Sequence, residues 1–221
     1  MTVDAYLRET GVGVYADFLV PDLTSGHGSH VDLVLLLESP HVAELHAQHP
    51  LAGPAGKDAL AFLTGSADAN RSLGEEVARR HKRGDFRVAI VNVSQVPLQR
   101  RAITTISPLD DKQWTAVEDL RRSRARKVQA LRAARRQYAE CLLPDLGRRV
   151  ALMGIGSTTS VAAAGKFAQM FWRSLSSAPT CALLEVPHPA RRQWTRATGG
   201  DAGQLGLLRE RFDVASTALS K

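Results

Sequence analysis

The stretch VDLVLLLESP, residues 31–40, indicates the fold class of this chain. Its apolar part is rich in Val and Leu and is too short to cross a membrane. Such a run is typical of a strand that is buried on both faces of a parallel sheet. The run ends abruptly at Glu38, and Pro40 follows two residues later. A carboxyl group is therefore expected directly at the end of a buried strand.

Strand-like and helix-like segments alternate along the whole chain. The predicted strands are Val31–Leu37, Phe86–Val93, Arg149–Gly154 and Cys181–Val186. A short helix is predicted within residues 1–23, and a loop over Thr24–His30. The other predicted helices are Lys57–Thr64, Leu73–Arg83, Asp111–Leu142, Ser160–Leu175 and Gln204–Leu219. This alternation predicts an α/β protein, with three α/β/α layers and a central, mostly parallel, four-stranded sheet. The sequence shows no repeat and no domain boundary, so we expect one domain over residues 1–221.

The charge of the chain favours a polyanionic partner. The 221 residues carry a formal net charge of +7, and eight Arg or Lys residues fall within Leu120–Gln137. A basic face of this kind suits the phosphate backbone of a nucleic acid. The same composition also fits a soluble protein with an arginine-rich surface and a solvated basic helix, and both interpretations stay open.

Several classes of protein are unexpected from the sequence. Cys141 and Cys181 lie far apart and form no CxxC motif, which argues against a disulfide framework, a thiolate zinc site and an iron–sulfur cluster. The spacing of five histidines matches no zinc pattern: His27, His30, His41, His46 and His49. We therefore expect no metal and no cofactor. The chain shows no signal peptide and no run of about 20 apolar residues, so a cytoplasmic location is expected.

Polar residues stand at the carboxyl ends of the predicted strands, where parallel sheets bind ligands. Glu38 follows the first strand and can act as a base or orient water, or it is an ordinary turn carboxylate. Asn92 ends the second strand; its amide can read the edge of a base, or cap a turn. Ser157 lies in the turn after the third predicted strand, where free N–H groups could hold a phosphate. His188 follows the fourth strand between two prolines, as a rigid hydrogen-bond donor or as an ordinary turn histidine.

Together these motifs resemble the uracil-DNA glycosylase superfamily. The likeness is to the branch whose first motif runs Gly-Glu-Ala-Pro-Gly, then a second Glu, then Pro-Phe-Val-Gly-x-Ala-Gly. The stretch LESPHVAELHAQHPLAGPAGK, residues 37–57, has the same order and spacing, with Glu38 at the catalytic acid and Glu44 at the second acid. VAIVNVSQVPLQRR is similar to the family's second strand, whose Asn matches Asn92, and PHPARR is similar to its His-Pro-Ser motif, with His188 as the histidine. The resemblance covers roughly residues 31–195.

The resemblance implies a monofunctional DNA glycosylase, which flips a base out of the stack and hydrolyses its N-glycosidic bond. Glu38 would stabilise the sugar cation and direct water, Asn92 would pair with the base, and His188 would donate to the departing base. Arg191 and Arg192 would clamp phosphates. Trp194 would be a wedge in the gap that the flipped nucleotide leaves, or a core anchor.

The sequence departs from the family pattern at several positions. The aromatic residue that stacks on the base is Leu51 here, the glycine after the motif proline is His41, and the four cluster cysteines are absent. We therefore expect Leu51 and His41 to line the base pocket, and the base to be uracil or a modified or deaminated base. The expected partner is single- or double-stranded DNA, with no membrane association, and the protein is expected to be a monomer. A non-catalytic nucleic-acid-binding protein and a nucleotide-processing α/β hydrolase are the alternatives.

Overall fold

A single sheet of four parallel strands forms the centre of the protein. The computed structural model describes residues 2–8, 17–25, 29–66, 70–105 and 107–217. The strands are β1 Leu33–Leu37, β2 Val88–Asn92, β3 Ser160–Ala164 and β4 Ala182–Val186, in the spatial order β2-β1-β3-β4. In the register of β1 and β2, Leu37 lies opposite Asn92, so the two strands end level with each other. The prediction of a parallel, four-stranded sheet is confirmed.

Helices cover both faces of this sheet. In the described residues they are α1 Val3–Arg8, α2 Val42–Ala47, α3 Pro54–Thr64, α4 Leu73–His81, α5 Asp111–Arg121, α6 Ala133–Leu152, α7 Lys166–Trp172, α8 Gln193–Arg196 and α9 Gly199–Thr217. One core cluster joins α1, α5, α6 and α7 to one face of the sheet. A second joins α3, α4 and α9 to the other face. The three-layer α/β/α architecture is therefore confirmed.

The burial of strand β1 on both faces accounts for the apolar run from which the fold was predicted. Val34 and Leu36 belong to one core cluster, whereas Leu33, Leu35 and Leu37 belong to the other. Because successive side chains of a strand point to opposite faces, a strand that helices cover on both sides needs apolar residues at every position.

The predicted third strand is wrong. Arg149–Leu152 is the last turn of α6, and the strand is Ser160–Ala164, a segment that the sequence analysis assigned to a helix. Its sequence, SVAAA, has little intrinsic preference for strand. All five residues are nevertheless buried between β1 and β4, and ladders on both sides hold them. Tertiary pairing here overrides local propensity, and the following helix begins only at Lys166.

The predicted long helix over Asp111–Leu142 is also wrong. Helix α5 ends at Arg121, a 3₁₀ turn occupies Val128–Ala130, and α6 begins at Ala133. Val128 is buried, and its N–H donates to Ser174 Oγ at 2.9 Å. This buried turn bends the chain, so most of the basic segment lies in a loop rather than along one helical face.

Parts of three further predictions lie outside the described residues. These are residues 9–16 of the predicted amino-terminal helix region, residues 26–28 of the predicted loop, including His27, and the last two residues of the predicted closing helix. Within the described part of the chain, no helix combines the length and apolar character needed to span a membrane.

Candidate functional site

A cavity of about 530 Å³ lies at the carboxyl ends of the strands. Glu38 follows β1, Asn92 ends β2, Gly165 follows β3 and His188 follows β4, and all four line this cavity. It occupies the edge of the sheet where open parallel sheets bind their ligands. The structure thus brings together Glu38, Asn92 and His188, the three residues for which the sequence analysis proposed chemistry.

The loop after β1 is closed by Glu44. One carboxylate oxygen accepts a hydrogen bond from the His41 N–H at 2.8 Å, and the other accepts one from the Leu51 N–H at 2.5 Å. Burial raises the pKa of Glu44 to about 7, although both N–H donors oppose the shift. With both oxygens bonded to backbone, this second acid of the motif holds the loop in shape.

Leu51 and His41 both line the cavity, as expected. Leu51 has a φ of 53°, and a Cβ on Gly56 would lie only 1.8 Å from its carbonyl oxygen. Glycine is therefore required at position 56, because any side chain there would collide with the backbone. Burial lowers the pKa of His41, and the nearby Arg101 and Arg121 guanidinium groups lower it further.

Glu38 forms an ion pair with Arg121 inside the cavity. Burial raises the pKa of Glu38, and Arg121 opposes this shift because a nearby positive charge favours the ionised carboxylate. Arg121 was not among the predicted site residues, since in the sequence it is only one member of the basic segment Leu120–Gln137. No local motif identifies it, since it stands at the end of a helix rather than after a strand.

The Asn92 side chain is the most completely buried polar group of the site. It is 1 % exposed, and neither its amide nitrogen nor its amide oxygen has a hydrogen-bond partner among the described residues. The buried hydroxyl of Ser39, which also lines the cavity, has no partner there either. Unpaired buried polar atoms are costly, so these atoms mark where a ligand would supply hydrogen bonds. Ser39 was not among the predicted site residues.

His188 is held as a neutral ring. Burial, together with the positive charge of Arg121, lowers the pKa of His188 to about 4. The Ala190 N–H lies 3.2 Å from Nδ1 and donates to it, which places the ring proton on Nε2. The ring is therefore a neutral donor through Nε2. Gly165, with a φ of +89°, packs its backbone against the His188 side chain.

The residues after His188 differ in their placement. Arg191 lines the cavity and is exposed, whereas Arg192 is exposed and lies 3.8 Å from Asp58. Trp194 is only 3 % exposed, and its Nε1 donates to the Pro187 carbonyl at 2.7 Å. A ring that is buried and hydrogen-bonded inside the protein cannot insert between the bases of DNA. The structure favours the alternative interpretation, that Trp194 is a core anchor.

Ser157 does not lie with the other predicted site residues. It occupies an exposed turn that precedes β3, so it lies towards the amino-terminal end of that strand, the end opposite the cavity. The error follows from the misplaced third strand: the turn was expected after the strand and comes before it.

Basic side chains surround the cavity. Arg101, Arg124, Lys166 and Arg191 line it, and none of the four has a carboxylate partner within the described ranges of the chain.

The same ranges contain no cluster of three or more His, Cys, Asp or Glu side chains that could hold a metal ion. The cavity therefore combines an acid, an amide and a neutral imidazole with a rim of uncompensated positive charge.

In comparisons with known proteins, no family model matches the chain and no curated protein matches it.

Proposed function

We propose that this protein is a DNA glycosylase that flips a base into the cavity and hydrolyses its N-glycosidic bond. The base would be uracil or a modified or deaminated base. The observation that carries the proposal is that Glu38, the unpaired amide of Asn92 and the neutral ring of His188 line one cavity. These are the groups needed to stabilise a sugar cation, to read a base edge and to stabilise a leaving base.

The proposed reaction breaks the bond between the sugar carbon and the base nitrogen, and the electron pair leaves with the base. Glu38 as a carboxylate stabilises the cation-like sugar and accepts a proton from the water that adds to it. His188 donates a hydrogen bond from Nε2 to the departing base, where negative charge develops. A neutral donor suits this role, because it needs no proton from solvent.

Asn92 is the proposed reader of the base. Its amide presents an NH₂ group as donor and an oxygen as acceptor, and neither atom has a partner in the described residues. A base edge that offers the complementary pair would satisfy both atoms. A base that cannot do so would leave at least one of them buried and unsatisfied, which costs about 1–3 kcal/mol.

Arg101, Arg124 and Arg191 support DNA as the partner. They lie around the cavity, where the phosphates that flank a flipped nucleotide would pass. Contacts between such side chains and phosphates supply affinity that is independent of sequence and decreases with salt.

Cleavage of damaged DNA tests the proposal directly. Single- and double-stranded oligonucleotides carrying uracil, hypoxanthine, xanthine or a hydroxymethylated pyrimidine are incubated with the protein and then treated with alkali, which cuts at abasic sites. Glu38→Gln keeps the size of the side chain and removes its charge, so we expect cleavage to fall at least about 100-fold. Glu185→Gln is the matched control and should cleave normally, because Glu185 also pairs with an arginine, Arg173, and neither residue lines the cavity.

A non-catalytic binder is the alternative that the structure favours most. Two observations support it: Glu38 is paired with Arg121, and Leu51 replaces the stacking aromatic residue. Salt-sensitive DNA binding without cleavage of any substrate would support that function. Hydrolysis of free nucleotides with no requirement for a DNA strand would instead support a nucleotide hydrolase. Cleavage that is equal in Glu38→Gln and the unsubstituted protein would contradict the proposed role of Glu38.

A further inference from the structure

A buried ion pair binds both the N–H and the carbonyl of Asn92. The Asn92 N–H donates to Asp22 Oδ1 at 3.1 Å, and its carbonyl accepts from Arg149 Nη1 at 2.9 Å. The same Nη1 also donates to Asp22 Oδ2 at 2.5 Å. The side chains of Asp22 and Arg149 are only 7 % and 9 % exposed. The backbone of the proposed base-reading residue is thus enclosed by two charged groups.

The two charged residues come from elements that pack on β2 independently. Asp22 belongs to the segment that covers the outer edge of β2, where Leu23 and Ile90 exchange two backbone hydrogen bonds of 2.9 Å. Arg149 reaches the strand from α6, and Asp145 on the same helix accepts from its Nε at 2.7 Å. Every guanidinium nitrogen of Arg149 is bonded, since Nη2 donates to the Val93 carbonyl at 2.9 Å.

Backbone bonds connect this arrangement to Glu38. The Val93 N–H donates to the Leu37 carbonyl at 3.0 Å, and the Ser94 N–H donates to the Glu38 carbonyl at 3.1 Å. The position of Asn92 relative to Glu38 is therefore fixed by the ladder on one side of β2 and by the ion pair on the other.

Stability alone is a poor explanation for such a pair. Removing two charges from water costs several kcal/mol per ion, and well-packed apolar residues often stabilise a protein equally well or better. The side-chain amide of Asn92, by contrast, has no hydrogen bond of its own in the described residues. Its orientation depends on how firmly its main chain is held.

We propose that Asp22 and Arg149 are positioning residues that hold the Asn92 amide in the cavity and so determine which bases the site accepts. The part concerning bases rests on the proposed function; the part concerning the orientation of Asn92 does not. Neither Asp22 nor Arg149 lines the cavity, so both act through Asn92.

The orientation of Asn92 is tested first, by NMR. The side-chain amide signals of Asn92 are identified by their absence in Asn92→Asp. The test variant combines Asp22→Leu with Arg149→Met, which replaces the pair by apolar side chains. Asp145, the other carboxylate partner of Arg149, keeps its ion pair with Arg148 at 2.8 Å. We expect one sharp pair of amide signals in the unsubstituted protein, and broadened or split signals in the double variant. Glu76→Gln, which weakens an ion-pair cluster with Arg79 and Arg80 on α4, should leave the Asn92 signals unchanged.

Base discrimination is tested second. The ratio of kcat/KM between the best and the next-best base should fall at least tenfold in the double variant, while cleavage of the best base still depends on Glu38. If the double variant does not fold, Asp22→Asn, which keeps the shape and removes the charge, is measured in the same way and should show a smaller change of the same kind.

The two proposals fail separately. Unchanged Asn92 signals in a folded variant overturn the positioning role. If the Asn92 signals change but the kcat/KM ratio between bases does not, Asp22 and Arg149 do not determine which bases the site accepts. If the unsubstituted protein cleaves no substrate while the Asn92 signals respond as expected, the proposed glycosylase function fails and the positioning role stands.

Discussion

Glu38 and Glu44 follow the same buried strand, six positions apart, but their partners differ. Glu44 accepts two backbone N–H bonds and faces no cation within hydrogen-bonding distance among the described residues, whereas Glu38 is paired with the guanidinium of Arg121. Burial raises the pKa of both carboxyl groups. A nearby full positive charge opposes the shift at Glu38, so the acid that is proposed to work as a carboxylate is the one with a counter-ion.

Glu44 is expected to make stability depend on pH. Its pKa is about 7 in the folded protein, against a usual value of 4.5. The carboxyl group therefore binds a proton more tightly in the folded state than in the unfolded chain, and its contribution to the free energy of unfolding decreases as the pH rises from about 4.5 to 7. The loss amounts to about 3 kcal/mol at most. Glu44→Gln does not titrate, so its free energy of unfolding should increase relative to that of the unsubstituted protein as the pH rises through this interval.

Urea denaturation at pH 5 and pH 7.5 measures this difference in both proteins. Glu75→Gln is a suitable control, because Glu75 is an exposed helix-capping carboxylate whose pKa is lowered rather than raised. Parallel pH dependence in Glu44→Gln and the unsubstituted protein would show that Glu44 does not carry the effect.

Arg121→Ala is expected to move the pH dependence of activity. Arg121 opposes the effect of burial on Glu38 more strongly than Arg101 does, so the pKa of Glu38 should rise when Arg121 is removed. Since the proposed mechanism requires Glu38 as a carboxylate, the acidic limb of the kcat/KM profile should move to higher pH, and activity should fall more at pH 6 than at pH 8. Arg121→Lys keeps the charge and should restore part of the profile.

The neighbouring variant Arg122→Ala is the control for this experiment, since Arg122 pairs with Glu118 and not with Glu38. An acidic limb that stays in place in Arg121→Ala would rule out Arg121 as the group that keeps Glu38 ionised.

At the scale of the elements, the junction between β3 and α7 places His188. Gly165 joins the two elements with a φ of +89°, and its N–H donates to the Val186 carbonyl at 2.8 Å. A Cβ at this position would lie 3.3 Å from the Cβ of His188. Both the backbone conformation and the close contact therefore call for glycine.

Gly165→Ala should destabilise the protein and displace His188. A residue other than glycine in this region of φ and ψ costs about 1–3 kcal/mol, which denaturant unfolding detects. Activity should fall by more than the folded fraction explains, because the added methyl group presses on the proposed donor. Gly156→Ala is the matched control: its Cβ would meet nothing within 4 Å, and stability should change by less than about 0.5 kcal/mol. Equal effects of the two substitutions would contradict this account of Gly165.

The elements that could be predicted from the sequence are those whose local pattern agrees with their environment. Strand β1 is apolar at every position and is buried on both faces, so pattern and structure coincide. Strand β3 has the sequence SVAAA and is a strand because β1 and β4 pair with it on both sides. Such pairing is not visible in a local window, and the same holds for the buried turn at Val128 that interrupts the predicted long helix.

At the scale of the whole molecule, sheet topology accounts for the part of the site that could be predicted. The carboxyl ends of parallel strands share one edge, so Glu38, Asn92 and His188 were expected together and do lie together. Arg121 and Arg149 stand at or near the ends of helices, and Asp22 lies on a segment beside the sheet edge. Their contributions depend on tertiary contacts, which strand-end reasoning does not reach.

The distribution of charge leads to a prediction about DNA binding. The net charge is +7, but only cations near the cavity should contact the phosphates that flank a flipped nucleotide. Arg124 lines the cavity and has no carboxylate partner in the described residues. Arg83 is also an exposed arginine, but it precedes β2 and so lies towards the opposite edge of the sheet.

Arg124→Ala should therefore reduce the slope of log Kd against log salt concentration by about 1, which corresponds to the loss of one phosphate contact. Arg83→Ala makes the same change in net charge and should leave the slope unchanged. Fluorescence anisotropy with a labelled oligonucleotide at several salt concentrations measures both. Equal changes in the two variants would mean that overall charge, rather than the rim of the cavity, attracts DNA. A change confined to Arg124→Ala would place the nucleic acid at the cavity, where the proposed chemistry requires it.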